Sequence, residues 1–131
     1  MGAMEDASVI LLVDDDPNIL KTVGTRLEAE GYRVVTAADG DKALKLALGI
    51  KPDLIILDVN LPGRIGYAVS RMLKLDEGAK YIPILMLTGR DEDADFRLGA
   101  MTGADAYMTK PFETAALVES VARLLRERGQ A

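Results

Sequence analysis

Neither cysteine nor histidine occurs in the 131 residues. The first absence excludes disulfides and thiolate metal sites and permits a reducing compartment. The second removes His-based triads and His-ligated zinc. No low-complexity segment or internal repeat is present, and the longest apolar run falls far short of the roughly 18–20 residues that span a bilayer. No charged-then-apolar stretch opens the chain, so neither a signal peptide nor a membrane contact is expected. A basic excess is missing too: 16 Lys and Arg stand against 21 Asp and Glu, a net charge of -5. That balance argues against direct nucleic-acid binding by this piece, since such binders usually show a basic face.

What is present is apolar material, 49% of the residues, enough for one well-filled core. Met1-Gly2-Ala3, ahead of Met4, reads as a cloning remnant. Residues 4–131 are then read as a single domain.

The stretch that orders the chain is Leu54-Ile55-Ile56-Leu57, a continuous apolar run that stops at the carboxylate of Asp58. Pro62 and Gly63 then enforce a turn. Runs apolar throughout are the mark of strands covered on both faces of a parallel sheet. Ser8 to Val13 is a similar run ending at Asp14-Asp15-Asp16. Asp16 suits a helix N-cap and Pro17 the first helical position. Ile19, Leu20, Val23 and Leu27 follow at helical spacing until Gly31.

The pattern then repeats. Arg33 to Ala38 predicts an edge-like strand, and Ala43, Leu44, Ala47 and Leu48 predict one face of a second helix ending at Gly49. Val69, Met72 and Leu73 mark a third helix, and Tyr81 to Leu87 a fourth strand ending at Thr88. A fourth helix is predicted over roughly Glu92 to Met101, with a weak apolar stripe near Phe96 and Leu98. Ala106 to Met108 makes a short fifth strand before Thr109-Lys110-Pro111-Phe112. The last helix presents Leu117, Val118, Val121, Leu124 and Leu125. Five strand–helix alternations with right-handed crossovers give a three-layer α/β domain around a parallel sheet.

Asp14, Asp15, Asp58, Thr88 and Lys110 all fall at or just beyond carboxyl ends of predicted strands, so they share one rim, where open α/β sheets keep their sites. Three carboxylates that close repel one another unless cations intervene. Lys110 supplies one cation. The other is a hard divalent ion, and Mg²⁺ fits an all-oxygen ligand set without soft donors. A carboxylate beside Mg²⁺, a lysine and a hydroxyl can attack phosphorus and become an aspartyl phosphate. Taken singly, Asp14 and Asp15 also read as polar strand ends, Thr88 as a strand-end hydroxyl and Tyr107 as a half-buried aromatic. Asp16 is read as a cap and Phe112 as core packing.

Four segments in order, Val13-Asp14-Asp15-Asp16-Pro17, Asp58-Val59-Asn60-Leu61-Pro62-Gly63, Leu87-Thr88-Gly89 and Tyr107-Met108-Thr109-Lys110-Pro111-Phe112, resemble the response-regulator receiver domains of two-component signalling. The resemblance covers Val9 to Leu125. It implies a flavodoxin-like (βα)5 fold with strand order 2-1-3-4-5, an architecture for which a receiver is a standard illustration. It also implies a cytoplasmic phosphoacceptor that catalyses only its own phosphorylation and dephosphorylation. Asp58 matches the phosphoacceptor; Asp14 and Asp15 match the acidic pair around Mg²⁺, and the Asn60 carbonyl a further metal ligand. Thr88 and Lys110 match the groups that contact the phosphoryl oxygens, and Thr88 with Tyr107 the switch pair. The Lys110-Pro111 bond is cis in the family. Implied partners are a histidine kinase or phosphotransfer protein, and a target protein or second copy reading the face of the fourth helix, fifth strand and last helix.

Two departures stand out. Ile65 precedes Gly66 where many members have Asp or Ser, making that loop more apolar. Arg90 and Asn60, each two places beyond a site residue, border the phosphoryl group in the family, and Arg90 is expected to alter its lifetime. Two rival readings remain open. A haloacid-dehalogenase-like phosphatase would use Asp14 and Asp16 in its Asp-x-Asp spacing, with the nucleophile on the first strand. A degenerate receiver would serve as an interaction module alone. A flavodoxin is disfavoured, because no Ser/Thr/Gly-rich phosphate loop follows the first strand.

Overall fold

The structure, a computed structural model, describes residues 7–89 and 103–130. The predicted fourth helix, Arg90, and the segment Met1-Gly2-Ala3 lie outside the described residues. Within them the chain runs β1 (Val9–Val13), α1 (Pro17–Ala29), β2 (Arg33–Ala37), α2 (Gly40–Ile50), β3 (Leu54–Asp58), α3 (Gly66–Leu75), β4 (Ile84–Thr88) and β5 (Ala106–Thr109). The last helix, here α4, spans Thr114–Gln130.

All strand pairs are parallel, in the order β2-β1-β3-β4-β5. The reason lies in the strand sequences. Every residue of β3 and β4 is buried, as expected of strands covered on both faces, whereas β2 mixes exposed and buried positions at the sheet edge. Alternation along the strands divides the core in two. Leu11, Val13, Ile55, Leu57, Ile84 and Met86 face α2 and α3 and pack with Ala43, Ala47, Val69 and Leu73. Ile10, Leu12, Leu54, Ile56, Leu85 and Leu87 face α1 and α4, with Val23, Leu27, Leu117 and Val121.

Helix boundaries follow local chemistry. Asp16 caps α1 by accepting a hydrogen bond from the Asn18 amide at 2.9 Å, with Pro17 at the first position. Asp39 caps α2 through the Lys42 amide at 2.7 Å. Helix α2 runs one residue past the predicted stop at Gly49, to Ile50, and is capped by Lys51, which takes a left-handed φ of 52°. Pro52 disfavours the helical region for the residue before it, so the proline rather than the glycine sets the end. On this helix Leu48 is exposed, and Leu46 packs on the core in its place.

Strand β4 starts at Ile84 and not at Tyr81. Pro83 lacks an amide hydrogen and Ile82 bonds back to Ala79 in a turn, leaving Tyr81 73% exposed. At this end of the sheet, Lys74 from α3 donates to the carbonyls of Lys80 and Ile82 and to Asp105, tying α3 to the starts of β4 and β5. The opposite rim is left for the chemistry.

Candidate functional site

Register brings the acids together. Val13 pairs with Leu57, so the next residue on each strand, Asp14 and Asp58, leaves the same sheet edge on the face shared by Leu12 and Ile56. Both are buried, Asp14 fully and Asp58 to 4% exposure, while Asp15 beside them is exposed. One carboxylate oxygen from each of Asp14, Asp15 and Asp58 lies within 4.8 Å of the others. This is the spacing of a shared cation site, and two of its three acids are removed from solvent.

Lys110, arriving from the end of β5, closes the other side. Its Nζ donates to Asp14 Oδ2 at 2.8 Å and stands 3.4 Å from Asp58 Oδ2. The ammonium therefore bridges the two buried acids and lies nearer Asp14 than Asp58. Burial alone would lower its pKa, but the Asp14 hydrogen bond and the charges of Asp58 and Asp14 outweigh it and hold the group above its usual range. Its backbone amide donates to the Thr88 carbonyl at 2.8 Å, and the bond to Pro111 is cis.

Asp58 responds in the opposite sense. Burial, and then the charge of Asp14, raise its carboxyl from 3.8 to about 6, against the opposing pull of Lys110 and the Asn60 amide. The Asn60 amide lies 3.4 Å from Asp58 Oδ1. Thr88, at the end of β4, is buried to 1% exposure, and its Oγ1 has no hydrogen-bond partner among the described residues. A buried hydroxyl without a partner is costly, so such a group calls for an oxygen or nitrogen neighbour. Tyr107 is half-buried on β5, paired in register with Met86. Because side chains alternate, Thr88 and Tyr107 lie on one face of the sheet, two residues apart along the β4–β5 ladder.

Five predicted residues, Asp14, Asp15, Asp58, Thr88 and Lys110, thus come to one rim, with Asn60 in the loop above them. Asp16 is the α1 cap and Phe112 packs against the α1–α4 side of the core, as read from sequence. Ile65 precedes α3 as an exposed residue making no side-chain cap.

Two supporting residues escaped sequence reasoning. A Cβ on Gly66 would strike the Asp58 carbonyl oxygen and the Val59 backbone, and one on Gly40 would strike the Arg64 carbonyl. Neither has a side chain to announce a role. Only the turn sequence Pro62-Gly63 close to Gly66 hinted that the backbone is crowded there.

The donor set fits Mg²⁺: three carboxylates cluster among the described residues, and the sequence holds no histidine or cysteine to offer a softer ligand.

Comparison with known proteins agrees with this geometry. The family model of the response regulator receiver domain matches residues 10–122. Alkaline phosphatase synthesis transcriptional regulatory protein PhoP of Bacillus subtilis is 47% identical over 89% of this chain and 48% of its own length. DNA-binding dual master transcriptional regulator RpaA of Synechocystis is 44% identical over 89% and 48%. The chain thus spans about half the length of these curated relatives. Chemotaxis response regulator CheY4 of Vibrio cholerae superposes with a TM-score of 0.85 at 35% identity, covering 90% of this chain and 98% of that one. A receiver domain of a Pseudomonas aeruginosa sensor histidine kinase, solved with a magnesium ion coordinated in its active-site cleft, gives 0.84 at 32% identity, covering 91% and 98%. With its five parallel strands in the order 2-1-3-4-5 and its rim of acids, the chain belongs to the response regulator receiver domains of two-component systems.

Proposed function

We propose that this domain accepts a phosphoryl group on Asp58, taken from a phosphohistidine donor in a Mg²⁺-dependent step, and that the product state redirects a partner. The observation that carries the reading is the joint placement of Asp58, Asp14 and Lys110 within ion-pair distance at the buried sheet edge.

Asp58 Oδ attacks the phosphorus; the P–N bond to the donor imidazole breaks and a mixed anhydride forms on Asp58. The electron pair stays with the departing imidazole nitrogen, which takes up a proton. Asp14, Asp15, Asp58 and the Asn60 carbonyl are the residues that would hold Mg²⁺, which when bound neutralises charge on the transferring oxygens. Lys110 holds Asp14 and Asp58 together before transfer and is free to follow the phosphoryl charge afterward. Thr88 brings to the same edge a hydroxyl with no partner among the described residues. Its movement toward the new oxygens is the first step of the proposed switch, and Tyr107, on the same face of the sheet, follows it. An added charge of about -1.5 to -2 biases that two-state element.

The proposed partners are a histidine kinase or phosphotransfer protein upstream and a target protein or second copy downstream, in the cytoplasm. Among the described residues, no helix is long and apolar enough to cross a membrane. Turnover of an external substrate forms no part of the proposal, nor does direct nucleic-acid binding by this domain. The test is chemical trapping after incubation with acetyl phosphate and Mg²⁺. Borohydride reduces an acyl phosphate and marks the residue that bears it. Peptide mapping is expected to find the mark on Asp58; a mark on Asp14 would contradict the proposal and favour a phosphatase-like nucleophile on β1.

A further inference from the structure

The loop from Val59 to Ile65 carries Asn60, whose carbonyl is a proposed metal ligand, and it is fixed from two directions. From the core side, Val59 and Leu61 are buried, the Val59 amide donates to the Leu87 carbonyl at 3.0 Å, and the Gly66 amide to the Val59 carbonyl at 2.8 Å. From the flank, the first turn of α2 presses on it. The Gly40 amide donates to the Pro62 carbonyl at 3.1 Å. A Cβ on Gly40 would collide with the carbonyl oxygen, carbonyl carbon and Cβ of Arg64. Gly63 follows with φ +79°, where a Cβ would come within 3.0 Å of Asp41 Oδ2, and Arg64 Nε donates to Asp41 Oδ1 at 2.9 Å. Successive loop residues Pro62, Gly63 and Arg64 each meet residue 40 or 41.

We infer that Gly40 is a positioning residue for the metal site: by having no side chain, it lets α2 hold the loop at the height that presents Asn60 to the cation. This rests on the reading of Asp14, Asp15, Asp58 and Asn60 as the metal-holding set. Gly40 offers no functional group, and the atoms nearest its missing Cβ are backbone and Cβ atoms of Arg64, so its influence passes through the loop. Asp14 and Lys110 follow β1 and β5, which lie on opposite sides of β3 in the sheet, and neither belongs to the loop. The inferred effect is therefore on cation affinity and not on the Lys110–Asp14 pair.

The experiment is calorimetric titration of folded protein with Mg²⁺ alone at constant pH, comparing wild type, Gly40→Ala and Gly49→Ala. Gly49 lies in the same helix with open space around it, so its substitution controls for changes in helix propensity. Gly40→Ala is expected to weaken Mg²⁺ about tenfold, as loss of an outer support typically does, with Gly49→Ala unchanged. Wild-type affinity in folded Gly40→Ala, or equal weakening in Gly49→Ala, overturns the inference. If Gly40→Ala does not fold, Arg64→Ala decides. Removing a cation would by itself tighten Mg²⁺, so weaker binding supports loop anchoring and equal or tighter binding overturns it. A wild-type protein that binds no Mg²⁺ overturns instead the metal-site reading on which the inference rests.

Discussion

At the scale of single residues, the chemistry turns on a conflict between burial and charge. Asp58 sits at about 6 because water has been withdrawn from it and Asp14 stands beside it. Its folded value lies above its ordinary 3.8, so the folded metal-free protein keeps a proton that the unfolded chain releases. Stability from this group is therefore present below about pH 4 and is lost as pH rises through about 6. A cation reverses the sign, because Mg²⁺ must displace that proton and then compensates the charge. Thermal melts with and without Mg²⁺ should show a larger stabilisation near pH 7 than near pH 5, and Asp58→Asn should flatten the difference. Equal Mg²⁺ stabilisation at both pH values would contradict this account of Asp58.

Gly66 gives a second test at this scale. Its missing Cβ leaves room for the Asp58 carbonyl. Gly66→Ala should cost about 1–3 kcal/mol in urea denaturation, as overpacking against backbone does. A change below about 0.5 kcal/mol would mean that the loop accommodates the methyl group.

Among the elements, each helix on the described chain lays an apolar face against one side of the sheet, and α1 and α2 also start on an aspartate cap. Asp39→Ala removes the acceptor of the Lys42 amide at the start of α2, with an expected loss of about 1 kcal/mol by chemical denaturation. A stability unchanged within error would show that water replaces the cap without cost. Elements were legible in the sequence where a strong local signal coincided with tertiary need. The run Leu54 to Leu57 is apolar because β3 lies in the middle of the sheet, and Asp16-Pro17 is both cap and first turn of α1. Reading failed where two local signals competed. Gly49 suggested a stop, but the helix runs one residue further, to Ile50, with Lys51 as its cap before Pro52; Tyr81 and Ile82 looked like strand until Pro83 broke the ladder. The acids were legible because carboxylates at strand ends are conspicuous. The supports Gly40 and Gly66 were not, because their contribution is an absent atom whose neighbour is distant in sequence.

For the whole molecule, the sheet separates structural and chemical edges. At the amino ends of β4 and β5, Lys74 satisfies carbonyls and the Asp105 carboxylate. At the carboxyl ends, Asp14, Asp15, Asp58, Thr88 and Lys110 gather, with the Thr88 hydroxyl unpartnered among the described residues and two buried acids sharing one lysine. The edge that carries the acids and Lys110 is the one proposed to take a metal ion and a phosphoryl group.

The most direct measurement is intact mass after incubation with acetyl phosphate, run with Mg²⁺, with a chelator in its place, and with Asp58→Asn. The account predicts one phosphoryl adduct on the wild-type protein with Mg²⁺, and none on either control. An adduct that persists in Asp58→Asn or without the cation, or no adduct on folded wild-type protein, would contradict it.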